Sequence, residues 1–574
     1  MRFQFLFSNI LVGAAVLGLS ADLASGQYDP PAGFYNGANG TGSTLKSQLS
    51  AIMSSGHIQR TYGNFRDSAA ITDADPNISG RILLVYNRAS VSATWDSGST
   101  WNREHVWPQS LQPGSASNSS KGNLGDPHAL RPANPGINSD RGNKPFGNFS
   151  TTGTYGSQGA NYFPGDTDKG DIARNLFYSA TRYQSSLTLV NGTPGSNQMG
   201  DLASILRWHY TDPPDEFERR RNHAIYSSSL NPSFFTNNRN AYIDMPHFAW
   251  SVFGGGDNNS TLFVGGSAAG DGQSNVVADF GAIIVGGTMP STQAVLLEKT
   301  GADPTYYSVT PSAGATSSVT GSFNAFDHNS QSKSIIVGVN VSSATAAFHA
   351  ETVTIDNLDV DGATTGQGSL DGDDVIDLEL FVLDHSEASF DDIADQDTLI
   401  IDFGTVLAGS GVLNMGFDIH NLEATVGLTA DLDIDAANPS GDSGVLSSDV
   451  VPTSGIAAGA DVAFVAQFDT SVAAANYLTT YTINVSDENL SGDIAGSTLT
   501  LTLMGEVISS SALFPFDDDG DGDVDMIDFG VFANCQTAPE VGAALSIPCD
   551  NQDADQDGDV DADDFAAFQQ AFTG

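Results

Sequence analysis

The acidic residues of this 574-residue chain are distributed so unevenly that the chain must join two electrostatically different pieces. Residues 27–250 contain 18 Lys+Arg and 17 Asp+Glu, whereas the rest of the chain contains 3 Lys+Arg and 52 Asp+Glu. Length alone favours three or four domains, at about 150 residues each. The net charge of −48 argues against a polyanionic ligand for the chain as a whole. Only residues 27–250 have the charge balance to tolerate a phosphate backbone.

The N-terminus has the layout of a secretory signal peptide. One basic residue precedes an apolar run from Phe3 to Leu19, and small residues follow, the last of them Gly26. Because the run is short for a membrane span, residues 1–26 are expected to be removed on export. The alternative is an N-terminal anchor. No later apolar run is long enough to span a bilayer, so the protein is expected to be secreted or associated with the bacterial cell surface.

Residues 254–274 are rich in Gly and Ser and are predicted to form a flexible linker. Beyond it, short alternating runs such as ETVTIDNLDV and TLTLTLMGEV predict half-buried strands separated by turns. VVADFGAIIVGGT and LIIDFGTVLAGSG align on Asp279 and Asp402, 123 residues apart, a plausible size for a β-sandwich. They resemble immunoglobulin-like modules of bacterial surface proteins, which implies two all-β sandwiches, at residues 275–390 and 398–508.

The C-terminal region contains two copies of one acidic loop, DDDGDGDVDMID and DADQDGDVDADD, which begin 36 residues apart. Each has oxygen donors at positions 1, 3, 5, 7, 9 and 12, and a Gly at position 6 for the sharp turn around a cation. Carboxylates this close together repel one another unless a cation neutralises them. A disordered acidic tail would not repeat Gly and Val in register. The pattern predicts two Ca²⁺ sites, formed by Asp517, Asp519, Asp521, Asp523, Asp525 and Asp528 and by Asp553, Asp555, Asp557, Asp559, Asp561 and Asp564.

A short amphipathic helix is predicted after each of these loops. The repeated loop and helix of residues 516–574 resemble a small α-helical type I dockerin module with EF-hand-type loops. The resemblance implies docking to a cohesin-like partner or to the cell envelope. Cys535 and Cys549, the only cysteines of the chain, lie between the loops and are candidates for a disulfide in an exported protein.

The stretch WNREHVWPQS places Glu104 directly before His105. Adjacent side chains on a strand point to opposite faces, so these two share a site only if the backbone turns there, as the following Pro108 suggests. A neutral imidazole can take a proton from water near pH 7. The stretch therefore offers a general base beside a carboxylate.

The next informative stretch is Gly125–Gly147. It predicts a strand through His128 to Leu130, then a break, then a short helical or turn segment with Asn138 and Arg141. A carboxylate and an amide oxygen can hold Mg²⁺ loosely and leave positions open for water and a phosphate oxygen. An arginine can fork onto the phosphate and offset charge as it builds. Together the two stretches contain the groups that phosphodiester hydrolysis needs.

Four blocks in order, WNREHVWPQS, DPHALRPANPGINSDRGNKPFG, DEFERRRN and NNRNAYIDMPHF, resemble the bacterial endonuclease I family. Its members are secreted or periplasmic nucleases with an α+β fold, the ββα-metal or His-Me finger. The resemblance covers residues 27–253. It implies metal-dependent, largely sequence-non-specific hydrolysis of the phosphodiester bonds of DNA, and also of RNA, to 5′-phosphate ends.

The resemblance also assigns roles to single residues. It implies that His105 is the general base and that Glu104 and Asn138 hold Mg²⁺ or another divalent cation. Arg141 is favoured as the phosphate clamp, with Arg131 as the alternative.

Several interpretations stay open at this level. His128 is either a satisfied structural histidine, which is favoured, or a group near the metal. Residues 219–221, three consecutive arginines, form either a solvated face or phosphate contacts. For the whole chain, the alternative to a secreted nuclease is a catalytically inactive surface-attachment or nucleic-acid-binding protein.

Overall fold

The computed structural model describes residues 26–147, 152–255, 258–266, 274–328, 332–358, 371–509, 516–518, 523–536, 549, 552–555 and 559–572. The predicted signal peptide, apart from Gly26, lies outside the described residues, as do the predicted calcium ligands Asp519, Asp521 and Asp557. The chain divides into two compact units, the first comprising Met1–Ala278, Ser291–Val339 and Glu351–Leu378, and the second Asp279–Pro290, Asn340–Ala350 and Glu379–Gly574. No helix of the described ranges has both the length and the apolar character needed to cross a membrane.

Helices dominate the first unit up to residue 253. They are α1 (Gly42–Ser54), α2 (Phe65–Thr72), α3 (Pro135–Arg141), α4 (Lys169–Arg182), α5 (Leu202–Thr211), α6 (Glu216–Tyr226), α7 (Ala241–Asp244) and α8 (Phe248–Phe253). Four two-stranded sheets accompany them: β1 (Arg81–Leu83) with β2 (Ser90–Ser92), β3 (Asn102–His105) with β4 (Leu130–Ala133), β5 (Gly156–Gln158) with β6 (Asn161–Phe163), and β7 (Thr188–Leu189) with β8 (Gln198–Met199).

Helix α4 forms the centre of this region, because every residue from Gly170 to Thr181 is buried. Its apolar side chains pack with those of α1, α5 and α7 in one core cluster. Its charged side chains are paired inside the protein. Arg174, for example, donates from Nε to Glu218 Oε2 of α6 at 2.7 Å. A helix buried on all sides must satisfy its charges internally, and here ion pairs to neighbouring helices do so.

The predicted ββα arrangement is present as β3, β4 and α3. Strands β3 and β4 are antiparallel, with Glu104 opposite Arg131 and His105 opposite Leu130. Helix α3 begins directly after β4, because Asn134 caps it by accepting from two backbone N–H groups and Pro135 stands at its first position. The short turn between strand and helix brings α3 against β3.

The structure corrects the predicted strand at His128. Pro127–Ala129 form a 3-10 turn, and the strand starts only at Leu130. The side chain of Asp126 accepts from the backbone N–H of His128 at 3.0 Å, and the proline fixes the first residue of the turn.

Two β-sheets follow along the chain. Their strands are β9 (Thr261–Val264), β10 (Asn275–Ile284), β11 (Gln293–Thr300), β12 (Thr305–Pro311), β13 (Ala315–Ser317), β14 (Gly321–Phe326), β15 (Ser332–Val339), β16 (Ala347–Asn357) and β17 (Asp374–Leu383), in the orders β10-β17-β16-β12-β14 and β13-β15-β11-β9. The linker prediction is wrong for Thr261–Val264, which pair with β11 and bury three apolar side chains.

Within the first unit, the helical region packs against this β region. Tyr210 and Trp250 form a buried cluster with Tyr306 of β12 and Ala325 of β14. The hydroxyl of Tyr306 donates to the backbone oxygen of His209 at 2.6 Å. The β region is therefore attached to the helical region by an apolar contact as well as by the connecting chain.

The second unit contains a two-sheet β-sandwich. Its strands are β18 (Glu387–Ser389), β19 (Thr398–Leu407), β20 (Val412–Leu422), β21 (Leu432–Gly441), β22 (Leu446–Ser448), β23 (Thr453–Ile456), β24 (Asp461–Asp469), β25 (Ala475–Asp487) and β26 (Leu499–Ile508), in the orders β18-β20-β24-β22 and β19-β26-β25-β21-β23. Every second residue of β26 is buried, and both sheets contribute to one core. Because β18 pairs with β20, the first predicted module ends before Glu387 and not at residue 390.

A small helical module follows in the second unit. Its helices, α9 (Met526–Cys535) and α10 (Ala562–Ala571), include the predicted helical segments, but each begins within the last three residues of its acidic loop, so Asp528 and Asp564 lie in the first helical turn. Asp525 and Asp561 cap them with the same capping box. A small apolar core and a disulfide between Cys535 and Cys549 hold the module together.

Candidate active site

Glu104 lies near the end of β3 and is almost completely buried. Its Oε1 atom accepts from the hydroxyl of Tyr86 at 2.7 Å and from Nη1 of Arg141 at 3.0 Å. Burial raises the pKa of Glu104, while the charge of Arg141 and the hydroxyl of Tyr86 oppose this shift. In the described part of the chain these contacts all go to Oε1, so Oε2 is left to bind a cation.

His105 is held in one orientation by two contacts. Its Nε2 atom lies 3.0 Å from the backbone oxygen of Leu124, and its ring stacks on Tyr62 with centroids 4.8 Å apart. Because a carbonyl can only accept, Nε2 carries the proton and Nδ1 has the free lone pair. Burial lowers the pKa of His105 to about 4, and the charges of Arg103 and Arg141 contribute to the shift. The ring is therefore neutral near pH 7, as a general base must be.

Asn138 lies on α3, and its amide is oriented by β3. Nδ2 of Asn138 donates to Oδ1 of Asn102 at 2.8 Å. The amide oxygen of Asn138 is therefore the atom left for a ligand. One carboxylate oxygen and one amide oxygen are donors that a hard divalent cation accepts, so the residues present fit the implied metal.

Arg141 joins the two elements that carry these groups. Besides its ion pair with Glu104, its guanidinium donates to the backbone oxygens of His105 and Val106, at 3.0 and 2.6 Å. It also lies 4.5 Å from the ring centroid of Phe146. Only 1% of its surface is exposed. The end of α3 is thus fixed to the end of β3.

The two arginines considered for the phosphate clamp, Arg141 and Arg131, are both buried and have partners inside the protein. Arg141 is enclosed by the contacts just described. Arg131 is equally buried, and its guanidinium pairs with Asp73 and Asp171, at 3.3 and 3.2 Å. Both guanidinium groups are therefore held by contacts inside the protein, which favours a cation at another position for the phosphate.

The other open interpretations resolve toward structural roles. Nε2 of His128 lies 3.1 Å from the backbone oxygen of Asn238, and the ring packs on Tyr178. Arg221 is buried and pairs with Asp73 at 2.8 Å. Arg219 and Arg220 also contact the protein itself, Asp29 and the backbone of Ala74 respectively.

Sequence reasoning missed the residues that support the site. Asn102, Tyr62 and Tyr86 orient the amide, the imidazole and the carboxylate respectively. Asn102 had a usable signal, because it alternates with Glu104 on β3 and so shares its face. Tyr62 and Tyr86 are distant in the sequence and carried no such signal.

The acidic loops of the C-terminal module bring several predicted calcium ligands together. Carboxylate oxygens within 4.8 Å of one another form three groups: Asp523, Asp525 and Asp528; Asp553, Asp555 and Asp564; and Asp559, Asp561 and Asp564. Asp528 and Asp564 are fully buried and accept backbone N–H groups from their own loops. Asp517, at the start of the first loop, is buried as well.

Known proteins are similar in sequence to the helical region of this chain. The family model described as Endonuclease I matches residues 41–247. The extracellular ribonuclease of Bacillus subtilis (strain 168) is 36% identical over 236 residues, which is 38% of this chain and 78% of that protein. The extracellular ribonuclease of Bacillus amyloliquefaciens is 36% identical over 243 residues, again 38% of this chain and 78% of that protein.

Solved structures give weaker likenesses. A Porphyromonas gingivalis protein of unknown function has a TM-score of 0.16 and 12% identity, covering 39% of this chain and 96% of that chain. The adhesive subunit CfaE of the enterotoxigenic Escherichia coli CFA/I fimbria has a TM-score of 0.19 and 8% identity, covering 43% of this chain and 87% of that chain. Likenesses at these TM-scores carry no argument about this protein.

The ribonuclease matches extend over most of each relative, and the family match contains Glu104 and His105 on β3 and Asn138 on α3. The chain therefore belongs to the endonuclease I family, and its helical region is a nuclease, a phosphodiester hydrolase.

Proposed function

We propose that the protein is a secreted, metal-dependent and largely sequence-non-specific endonuclease that cleaves DNA, and also RNA, to 5′-phosphate ends. The observation that carries this proposal is the orientation of His105. A hydrogen bond from Nε2 to Leu124 leaves Nδ1 as a base on the strand that also carries Glu104. Asn138 presents its amide oxygen from the adjoining helix.

His105 has the first chemical role in this mechanism. Nδ1 takes a proton from a water molecule, whose oxygen then attacks the phosphorus of the scissile bond. The bond from phosphorus to the 3′ oxygen breaks, and that oxygen takes a proton from solvent water, which leaves a 5′-phosphate and a 3′-hydroxyl end. The Leu124 carbonyl fixes the tautomer and stabilises the ring once it becomes charged. Stacking on Tyr62 keeps the ring plane in place.

Glu104 and Asn138 would hold the divalent cation, which when bound would act as a Lewis acid on the phosphate. Arg141 and Tyr86 hold Glu104 in place and leave its second oxygen for the cation. Asn102 does the same for the amide of Asn138. Support of this kind is expected around a metal held by so few protein ligands.

Cleavage of RNA as well as DNA is supported by the mechanism and by the relatives. A base that activates water makes no use of the ribose 2′-hydroxyl, so both sugars are compatible with it. The two Bacillus relatives are named extracellular ribonucleases. Their names also support export of this chain, in agreement with the signal peptide predicted at residues 1–26.

We further propose that the C-terminal module binds two Ca²⁺ ions and anchors the enzyme to a cohesin-like partner or to the cell envelope. Support comes from the grouped carboxylates and from the identical capping of the two helices that follow them. Immunoglobulin-like modules would then act as spacers between the enzyme and its anchor.

Incubation of the full chain with supercoiled plasmid and Mg²⁺ tests the catalytic proposal. We expect nicking and linearisation that EDTA abolishes and that His105→Ala reduces by about 10²–10⁴-fold. His420→Ala, on β20 of the second unit, serves as the matched control and should cleave at the normal rate. Cleavage that survives both EDTA and His105→Ala would refute the mechanism.

A further inference from the structure

A nuclease needs a cation for the substrate phosphate, and the two arginines expected to supply it are used elsewhere. Arg141 is enclosed by backbone oxygens and Glu104, and Arg131 by two aspartates. The question is which positive side chain near His105 is open to a polyanion.

Arg103 lies on the same strand as His105, two residues before it, so the two side chains share one face of β3. Its guanidinium carbon is 3.6 Å from the ring centroid of Tyr62, the ring on which His105 stacks. Nη1 of Arg103 donates to the backbone oxygen of Tyr62 at 2.7 Å and to Oδ1 of Asn118 at 3.2 Å. Guanidinium, phenol ring and imidazole therefore form one stacked group.

Among the described residues, Nε and Nη2 of Arg103 have no hydrogen-bond partner, and the guanidinium carbon also lies 5.2 Å from the ring centroid of Trp95. The side chain of Arg103 is only half-buried, in contrast to the buried Arg131 and Arg141. All five of its N–H groups are donors, and the two hydrogen bonds above use Nη1 alone. The guanidinium of Arg103 is thus oriented by the protein and still has N–H groups that can donate to a ligand.

Arg103 also differs from the structural arginines in its charge environment. Among the described residues, Arg103 and Arg66 have no carboxylate within ion-pairing distance, whereas Arg131, Arg141, Arg174 and Arg221 each have at least one. Arg66 lies near Arg103, because Arg103 donates to the backbone oxygen of Tyr62 and Arg66 donates to the backbone oxygen of the next residue, Gly63. Arg66 is the second residue of α2. Its side chain is oriented by a 2.9 Å hydrogen bond from Nε to the backbone oxygen of Gly63. Two like charges held side by side without an acid partner favour an anionic ligand.

We propose that Arg103 contacts the nucleic-acid phosphate at the scissile position, and that Arg66 contacts a neighbouring phosphate of the same strand. This inference rests on the proposed nuclease function and assigns the substrate-binding cations of that site. Tyr62 positions the guanidinium and the imidazole relative to each other, because its ring contacts both.

Equilibrium binding tests this assignment separately from catalysis. The full chain carrying His105→Ala is titrated against a fluorescein-labelled DNA duplex of 20 base pairs, at several salt concentrations, with Ca²⁺ as the only divalent cation. Adding Arg103→Gln should raise Kd about tenfold. It should also reduce the slope of log K against log salt by about 1, because one phosphate contact is lost.

Two further variants make the outcome interpretable. Arg81→Gln removes an exposed cation that hydrogen-bonds to Ser90 and lies outside this group, and it should leave the slope unchanged. Arg103→Lys keeps the charge without the fork and should retain the slope while binding more weakly. If Arg103→Gln affects binding no more than Arg81→Gln does, the proposal is overturned. A lowered Tm with an unchanged salt slope would also overturn it, because that result indicates a structural role only.

Kinetics of the chain with His105 intact separate this proposal from the one on which it rests. We expect Arg103→Gln to raise KM for duplex DNA about tenfold and Arg66→Gln to raise it less. A wild-type chain that binds DNA through Arg103 without cutting it would refute the nuclease mechanism alone. A chain that cuts normally with Arg103→Gln would refute the assignment of Arg103 alone.

Discussion

The two predicted metal sites of this chain are built in opposite ways. In the nuclease region one carboxylate, Glu104, is already neutralised in part by Arg141 and hydrogen-bonded to Tyr86. In the C-terminal module groups of three carboxylates lie within 4.8 Å, and their partners are mainly backbone N–H groups. The first arrangement holds its shape through the protein's own contacts, whereas the second concentrates like charge. A cation is therefore expected to serve chemistry in the first and folding in the second.

The largest expected effect is on activity. His105→Ala should lower the rate of plasmid cleavage by about 10²–10⁴-fold and leave the Tm of the nuclease region within a few degrees of the wild type. A loss of activity accompanied by unfolding would contradict the comparison of the two sites. It would mean that the fold of the nuclease region depends on the His105 side chain.

Next in size is the removal of the internal counter-charge. Arg141→Met leaves Glu104 buried without its cation and should reduce the free energy of unfolding by about 3–5 kcal/mol, measured by urea denaturation. The matched control is Arg219→Gln, whose partner Asp29 is half-exposed, and it should cost about 1 kcal/mol or less. Equal effects of the two variants would mean that Arg141 is not the internal support of the site.

Calcium should act on the C-terminal module alone. At a free Ca²⁺ concentration about 100 times Kd, binding should stabilise each loop by about 2.7 kcal/mol. A chelator selective for calcium should therefore lower the unfolding temperature of this module. Protease sensitivity near α9 and α10, measured as the temperature is raised, reports this change. Asp528→Asn with Asp564→Asn should abolish the response. A calcium-dependent shift of the nuclease transition would contradict the division of roles.

The smallest expected effect concerns a single supporting hydrogen bond. Asn102→Ala frees the amide of Asn138 and should raise the Mg²⁺ concentration for half-maximal activity about tenfold. Asn134→Ala, which removes the cap of the same helix, should mainly lower stability by about 1 kcal/mol. An unchanged Mg²⁺ requirement in Asn102→Ala would show that the amide needs no support.

The sequence was sufficient for the parts of the fold that local patterns determine. Alternating strands such as β26, the helices after the acidic loops and the ββα order around Glu104 and His105 all follow from residues close together in the chain. The ββα order could be predicted because its two strands and helix lie within about 40 residues and carry their own turn signals.

The environment of the arginines could not be predicted in the same way. Arg141 is buried because Phe146 and the end of β3 close over it, and Arg131 because Asp73 and Asp171 approach from distant segments. An arginine in a polar stretch looks equally suited to substrate and to an internal ion pair. Thr261–Val264 were missed for a similar reason, since the strand that pairs with them begins near residue 293.

The aromatic contact between the helical region and strands β12 and β14 has a consequence for the life of the enzyme outside the cell. Any protease that separated the two parts after residue 254 would uncover Tyr210 and Trp250, which are now almost wholly shielded from water. A bare patch of this kind promotes self-association. A free catalytic fragment would thus be less soluble than the intact chain. We therefore expect the nuclease to act with strands β12 and β14 still packed against it.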